Sequence, residues 1–482
     1  MTETEDHAGT GMDTGNDRNA ETDRDTGVVR ARPTVGLASF VHNVADAGLQ
    51  LLRVRRDAAG ITAADIEAEC EELMSTRGEA SGTAIARRVM DLYQRMNARE
   101  QLTFFRILRT RFHLDAEAVY GAARILRDTG DDAALARFLK LAEPRRQELF
   151  RRLNMAPDGT RSLVDMRRAL LTHLPDNPDL RPVDSDLRHV LASWFNRGFL
   201  HLRSIDWGTP AAVLEKLIAY ETVHEMQGWD DLRRRLASDR RCFAFFHTAL
   251  PEDPLVFVEV ALVKGVSRDI APIIGLDRQE LPVARADTAI FYSINNCLDG
   301  LRGISFGNFL IKQVVVELRR ELPNLRTFAT LSPVPGFRRW LTAQVLGDPD
   351  SPWISAADRQ TLAALDRVDW HLLPDVADTL KPILTRLIAA YLVRVKSGDH
   401  PTDPVARFHL GNGARLDSLN WLGDISEDRM AQSCGFLVNY VYDLKAIEEN
   451  HEVYVKNHQV VTSRKIAELA AAAGPAKQGK AA

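Results

Sequence analysis

Seven consecutive residues, Arg302-Gly303-Ile304-Ser305-Phe306-Gly307-Asn308, separate an apolar strand-like run at 289–294 from a helix-like run at 309–322. Small residues in a strand-to-helix turn let the backbone come close to a ligand, and the first amides of the following helix point unpaired N–H groups at it. An anion fits such a turn, and Arg302 adds a fixed positive charge. The spacing is not G-x-x-x-x-G-K-[ST], and no lysine stands where a nucleoside triphosphate would need one. Two further residues have side chains suited to proton transfer. Ser332 follows an apolar run and precedes Pro333, which biases it to extended backbone. Thr330, two residues earlier, shares its side of a strand. His409 sits between Phe408 and Leu410, and an ordinary histidine has a proton available near neutral pH. By residue type alone the plainer readings stand beside these: a Ser-Pro turn, a hydrogen-bonded core histidine and an empty turn.

Other chemistries lack their patterns. His224-Glu225 is followed by Met226-Gln227-Gly228, so the second histidine of H-E-x-x-H is missing. No G-x-S-x-G elbow surrounds Ser332 or Ser305, which disfavours a covalent acyl-enzyme. Cys70, Cys242, Cys297 and Cys434 form no C-x-x-C pair, so neither a zinc site nor a disulfide framework is expected, and a reduced cytoplasm fits. The formal net charge of -4 gives no reason to expect nucleic acid or a membrane surface as partner. No apolar run approaches the roughly 18 residues that span a bilayer, and the polar first 25 residues have no signal-peptide core.

The elements that must position these groups change character along the 482 residues. Residues 1–34 are acidic, polar and poor in large apolar side chains, so a disordered tail is expected. Over 35–190 apolar residues recur at helical spacing: Val89, Leu92, Tyr93 and Met96 alternate with Arg87, Arg88, Arg95 and Arg99, which read as solvated faces with salt bridges between helices. A domain boundary is placed near Asn177-Pro178 and Arg181-Pro182. From about residue 191 to 470, β-rich runs at 242–246, 255–263, 288–294, 325–330 and 436–442 alternate with helical patterns at 210–220 and 309–322, and 471–482 reads as a flexible tail. The fold class is therefore α+β, an all-helical segment followed by a mixed one.

The turn at 302–308 is similar to the R-G-x-G-x-G loop of the GNAT acetyltransferase fold, with Ser305 in place of the middle glycine. Further blocks widen the likeness: Thr330-Leu331-Ser332-Pro333-Val334-Pro335-Gly336-Phe337, Arg407-Phe408-His409-Leu410-Gly411-Asn412-Gly413-Ala414, Leu255-Val256-Phe257-Val258-Glu259-Val260-Ala261-Leu262 and Ser433-Cys434-Gly435. Together they resemble the malonyl-CoA decarboxylase family over roughly residues 194–442. The resemblance implies a GNAT-like catalytic domain that converts malonyl-CoA to acetyl-CoA and CO2, with Ser332 and His409 catalytic. It implies that Arg302, Gly303, Ile304, Ser305, Phe306, Gly307 and Asn308 bind the pyrophosphate of coenzyme A, with Lys312, Arg338 and Arg339 as candidates for its 3′-phosphate. His409 would donate the proton to the enolate, and Ser332 would be its hydrogen-bonded partner. No cofactor or metal is implied, because the thioester carbonyl is itself the electron sink. The helical segment would serve homo-oligomerisation, and the chain's ending Lys480-Ala481-Ala482, without a peroxisomal address, would suit a bacterial cytoplasmic enzyme. The rivals are a GNAT acyltransferase that moves an acyl group to an amine, and a malonyl-CoA sensor without catalysis.

Overall fold

In the computed structural model the described residues are 63–75, 78–275, 278–304, 306 and 310–474. The expected tail at 1–34, three members of the seven-residue turn (Ser305, Gly307 and Asn308) and residues 475–482 lie outside them. Helices α1 (Ala63–Ser75), α2 (Glu79–Gln94), α3 (Ala98–Thr110), α4 (Ala116–Thr129), α5 (Asp132–Ala142), α6 (Arg145–Leu153), α7 (Gly159–His173) and α8 (Arg181–Trp194) come first. Their ends are written in the sequence. Asn97 and Glu100 form a capping box on α3, Asp115 and Asp131 cap α4 and α5, and Gly130, at φ 66°, ends α4. Tyr93, Phe104 and Phe105 form a buried aromatic cluster, with Tyr93 and Phe104 centroids 5.5 Å apart.

Several arginines here meet carboxylates at the surface, such as Arg88 with Glu69 and Arg145 with Glu71, each at 2.8 Å, where such pairs add little stability. Two are buried instead: Arg146 on Asp186, and Arg167 on Asp184 at 2.8 Å. Helices α4 and α5 make a hairpin that leaves Tyr120, Ile125, Leu135 and Leu139 exposed.

The second segment runs β1 (Leu200–Ile205), α9 (Ala211–Tyr220), α10 (Trp229–Arg235), β2 (Arg240–His247), β3 (Leu250–Val263), β4 (Thr288–Asn296), α11 (Leu310–Glu321), β5 (Thr327–Thr330), β6 (Ser332–Pro333), α12 (Pro374–Arg394), α13 (Pro404–Gly411), β7 (Arg415–Asn420), α14 (Glu427–Ser433), β8 (Leu437–Val441), α15 (Ile447–Asn457) and α16 (Arg464–Ala472). The eight strands form one sheet in the order β1-β2-β3-β4-β5-β8-β6, with β7 also on β8. Only β4 and β5 pair in parallel, joined through α11, whose stripe Ile311, Val314, Val315 and Leu318 is buried. Strands β2, β3 and β4 are buried along nearly their whole length, as strands covered on both faces must be.

This is the α+β order that the sequence predicts, a helical segment followed by a mixed one. The described residues all belong to one compact unit, 62–482. Strands β1 and β7 and the 21-residue α12 have no counterpart among the expected elements. Polar side chains such as His201, Arg203, Arg415 and Asp417 mask the strands, and Pro382 interrupts the helical pattern of α12. Helix α16 also takes in residues 471 and 472, expected to be tail. No described helix is long and apolar enough to cross a membrane.

Candidate active site

Strands β4 and β5 part company after one last bond, Leu331 N–H to the Phe291 carbonyl at 2.9 Å. Beyond it Ser332 and Pro333 turn to β8, opposite Val438 and Leu437, while β4 continues to Asn296 against β3 alone. A bulge at Tyr292 bends β4 at this point, since Ser293 faces Glu259 and Phe291 faces Val260. The gap is a cavity of about 220 Å³. Phe291, Ile294, Leu331, Val405 and Phe408 line it with Ser332 and His409, and no Lys, Arg, Asp or Glu is among its lining residues.

Ser332 and His409, 77 residues apart, meet on this wall, with Oγ 3.0 Å from Nε2. Helix α13 brings the histidine there. Asp403 caps the helix by accepting from the amides of Val405 and Ala406 at 3.0 and 2.9 Å, and Pro404 takes the first helical position. The imidazole lies on the Tyr440 ring, centroids 4.6 Å apart, and its Nδ1 is 2.8 Å from the Tyr442 hydroxyl. Burial lowers the pKa of His409 to about 3, so the resting ring is neutral. This differs from the expectation of a histidine that titrates near neutral pH, because burial penalises the charged imidazolium.

Burial also raises Tyr442 above its ordinary value, so it remains a phenol. When its O–H donates to Nδ1, the ring proton lies on Nε2, facing Ser332. Ser332 Oγ then donates to Thr330 Oγ1 at 2.9 Å, and that oxygen accepts from Tyr440 N–H at 3.1 Å and donates to the Val438 carbonyl at 3.4 Å. The whole chain of donors runs one way, from Tyr442 through His409 and Ser332 to Thr330.

The seven-residue turn begins at a short helical turn, Asp299–Leu301. Gly303 has φ 76°, a conformation that favours glycine, and the Ile304 and Phe306 side chains are buried anchors. The Arg302 side chain lies at the surface, paired with Asp299 at 2.6 Å. Lys312 pairs with Glu448 beside Arg197, in an open cleft of about 500 Å³ near the start of α11. Arg338 is spent on Cys434 Sγ and the Leu365 carbonyl, and Arg339 is exposed. His201 has no place on the cavity wall, and His247 binds the Trp194 carbonyl at 3.1 Å.

Two family descriptions match this chain: the malonyl-CoA decarboxylase C-terminal domain over residues 198–480, and the malonyl-CoA decarboxylase N-terminal domain over residues 112–195. The first spans more than half of the sequence. The chain belongs to the malonyl-CoA decarboxylase family. The mitochondrial malonyl-CoA decarboxylases of Anser anser anser and Rattus norvegicus are 35% and 34% identical to it over 347 and 362 residues, which cover 67% and 68% of this chain and 69% and 71% of theirs. Crystal structures of malonyl-CoA decarboxylases from Rhodopseudomonas palustris and Agrobacterium vitis align with TM-scores of 0.82 and 0.80 at 50% and 52% identity. Those alignments cover 85% and 84% of this chain and 100% and 99% of the solved ones.

Within this malonyl-CoA decarboxylase framework the sequence reading named Ser332 and His409, and noted Thr330, but missed Tyr440 and Tyr442, which touch the His409 ring. The tyrosines left a usable trace, because alternate residues in the β-rich run 436–442 put both on one face of a strand.

Proposed function

We propose that this member of the malonyl-CoA decarboxylase family converts malonyl-CoA to acetyl-CoA and CO2 in the cavity between β4 and Ser332. The observation that carries the reading is the Ser332–His409 pair, 3.0 Å apart, on the wall of an otherwise uncharged pocket at the splay of the sheet. Among the described residues no cationic side chain lines the site the malonyl carboxylate enters, so its charge is poorly solvated there and loss of neutral CO2 is favoured. As the C2–carboxylate bond breaks, its electron pair moves into the thioester and charge builds on the carbonyl oxygen. The edge of β4 from Tyr292 to Asn296, free of a strand partner there, offers amides to that oxygen.

The thioester enolate is a far stronger base than an alkoxide, so a neutral donor suffices. The Ser332 hydroxyl turns from Thr330 to C2 and gives up its proton, while His409 Nε2–H supplies the next one to Oγ. Tyr442 O–H on Nδ1 offsets the charge left on the ring, and solvent restores the proton after product leaves. No added cofactor takes part in this scheme, since the thioester carbonyl accepts the electrons. The scheme includes a cytoplasmic setting, coenzyme A binding at the 302–308 turn, and self-association through the exposed α4–α5 hairpin.

Incubation with malonyl-CoA in D2O, without any amine, tests the reading. Intact acetyl-CoA carrying solvent deuterium at C2 is expected. Malonyl-CoA left untouched until an amine is added, followed by free coenzyme A, would indicate an acyltransferase. Binding without turnover would indicate a sensor.

A further inference from the structure

Arg167 is 2% exposed, and every donor contact it makes fixes something. Its Nε donates to Asp184 Oδ1 at 2.8 Å, within the helical segment. Its Nη1 crosses to the other segment and donates to the carbonyls of Gly300 and Arg302, both at 2.8 Å. The approach is as close as backbone allows: a Cβ on Gly300 would overlap the Val164 carbonyl oxygen of the same helix, α7. Charge-assisted bonds to two carbonyls two residues apart hold a chain segment in one orientation, and burial of the guanidinium strengthens them. The segment so held is the entry to the glycine-bearing turn, immediately before Gly303 reverses the backbone.

We propose that Arg167 is a positioning residue for the nucleotide end of coenzyme A, setting the entry of the turn at 300–304 so that its backbone meets the pyrophosphate. This rests on the reading of that turn as the coenzyme A site. The consequence is that the helical segment takes part in substrate binding: α7 is one wall of the loop's mounting. Arg302, by contrast, contributes its backbone carbonyl to the mounting and its guanidinium to Asp299.

Arg167 is not among the residues that line the Ser332–His409 cavity, so its loss removes remote binding shared by ground and transition states, which raises KM and spares kcat. The experiment compares Arg167→Met, Arg167→Lys and the unaltered enzyme on two substrates, malonyl-CoA and malonyl-pantetheine, the latter lacking the nucleotide. For Arg167→Met we expect KM for malonyl-CoA to rise by roughly ten-fold or more, kcat to stay within about two-fold, and both constants for malonyl-pantetheine to be unchanged. Arg167→Lys, which keeps one charged donor, should recover part of the difference. It also carries the same comparison if the methionine variant does not fold. An equal loss on both substrates, or no loss on either, overturns the proposal by reducing Arg167 to general packing. If the unaltered enzyme itself does not favour malonyl-CoA over malonyl-pantetheine, the turn is not a nucleotide seat and the proposal falls with that reading.

Discussion

Tyr442 Oη stands 2.8 Å from His409 Nδ1, the ring nitrogen that Ser332 does not touch, and as a donor there it would hold the imidazole proton on Nε2. Tyr442→Phe keeps the ring that packs edge-on against Phe291 at 6.1 Å and removes only the donor. Its kcat should fall by roughly 10- to 100-fold with KM little changed, less than the 10²- to 10⁴-fold typical of losing the acid itself. Nitrogen NMR of the histidine should show the proton no longer confined to Nε2. Wild-type turnover in the phenylalanine variant would show that the tautomer is set elsewhere.

Ser332→Ala and His409→Ala should each lower kcat by roughly 10²- to 10⁴-fold in folded protein, and the double variant should be little worse than either single one, because the two act as one donor. Multiplicative losses in steady-state kinetics would instead assign them separate jobs.

Acid should destabilise the enzyme through its buried histidines. His409 and His224 are held at about 3, against an ordinary 6.5, with burial the first cause in each. Below pH 6.5 the unfolded chain takes up protons that the folded protein refuses until about pH 3. Their contribution is therefore complete above 6.5 and is lost as pH falls through that window. Each histidine adds a slope of up to about 1.4 kcal/mol per pH unit. Urea unfolding from pH 7 to pH 4 should show a shallower slope in His409→Gln, and an unaltered slope would mean that His409 titrates normally in the fold.

Asp403 holds the start of the helix that carries His409, and its second carboxylate oxygen is buried without a partner, with burial pushing its pKa up to about 6. Asp403→Asn retains an acceptor for the cap and should be tolerated, whereas Asp403→Ala should cost about 0.5–2 kcal/mol of stability and lower kcat as His409 shifts. Thermal melts paired with kinetics on both variants provide the check, and equal behaviour of the two would remove the cap from the account.

The α4–α5 hairpin exposes Tyr120 and Leu139 at 64% and 59%, apolar surface that association with a second copy would cover. Leu135→Glu combined with Leu139→Glu should shift sedimentation to a smaller species at unchanged kcat. No change in size would remove the hairpin from self-association.

Local chemistry was enough to read a large part of this protein. The run of apolar residues at 289–294, the glycine-bearing turn and the apolar stripe of α11 are short-range patterns, and the structure has them as strand, turn and helix in that order. Pro333 marked Ser332 as extended, and the motif around His409 marked it as functional, because those signals lie within a few residues. Tertiary structure alone decided the rest. Ser332 and His409 became a pair only when β8 drew Ser332 away from β4 and α13 laid His409 beside it. The neutrality of His409 is a desolvation effect summed over many distant side chains, which no local window contains. Arg302 and Arg167 find their partners for the same reason: an arginine's partner is whichever carboxylate or carbonyl the folded chain brings within 3 Å, here Asp299 for the residue inside the turn and the turn's own backbone for the residue 135 positions earlier.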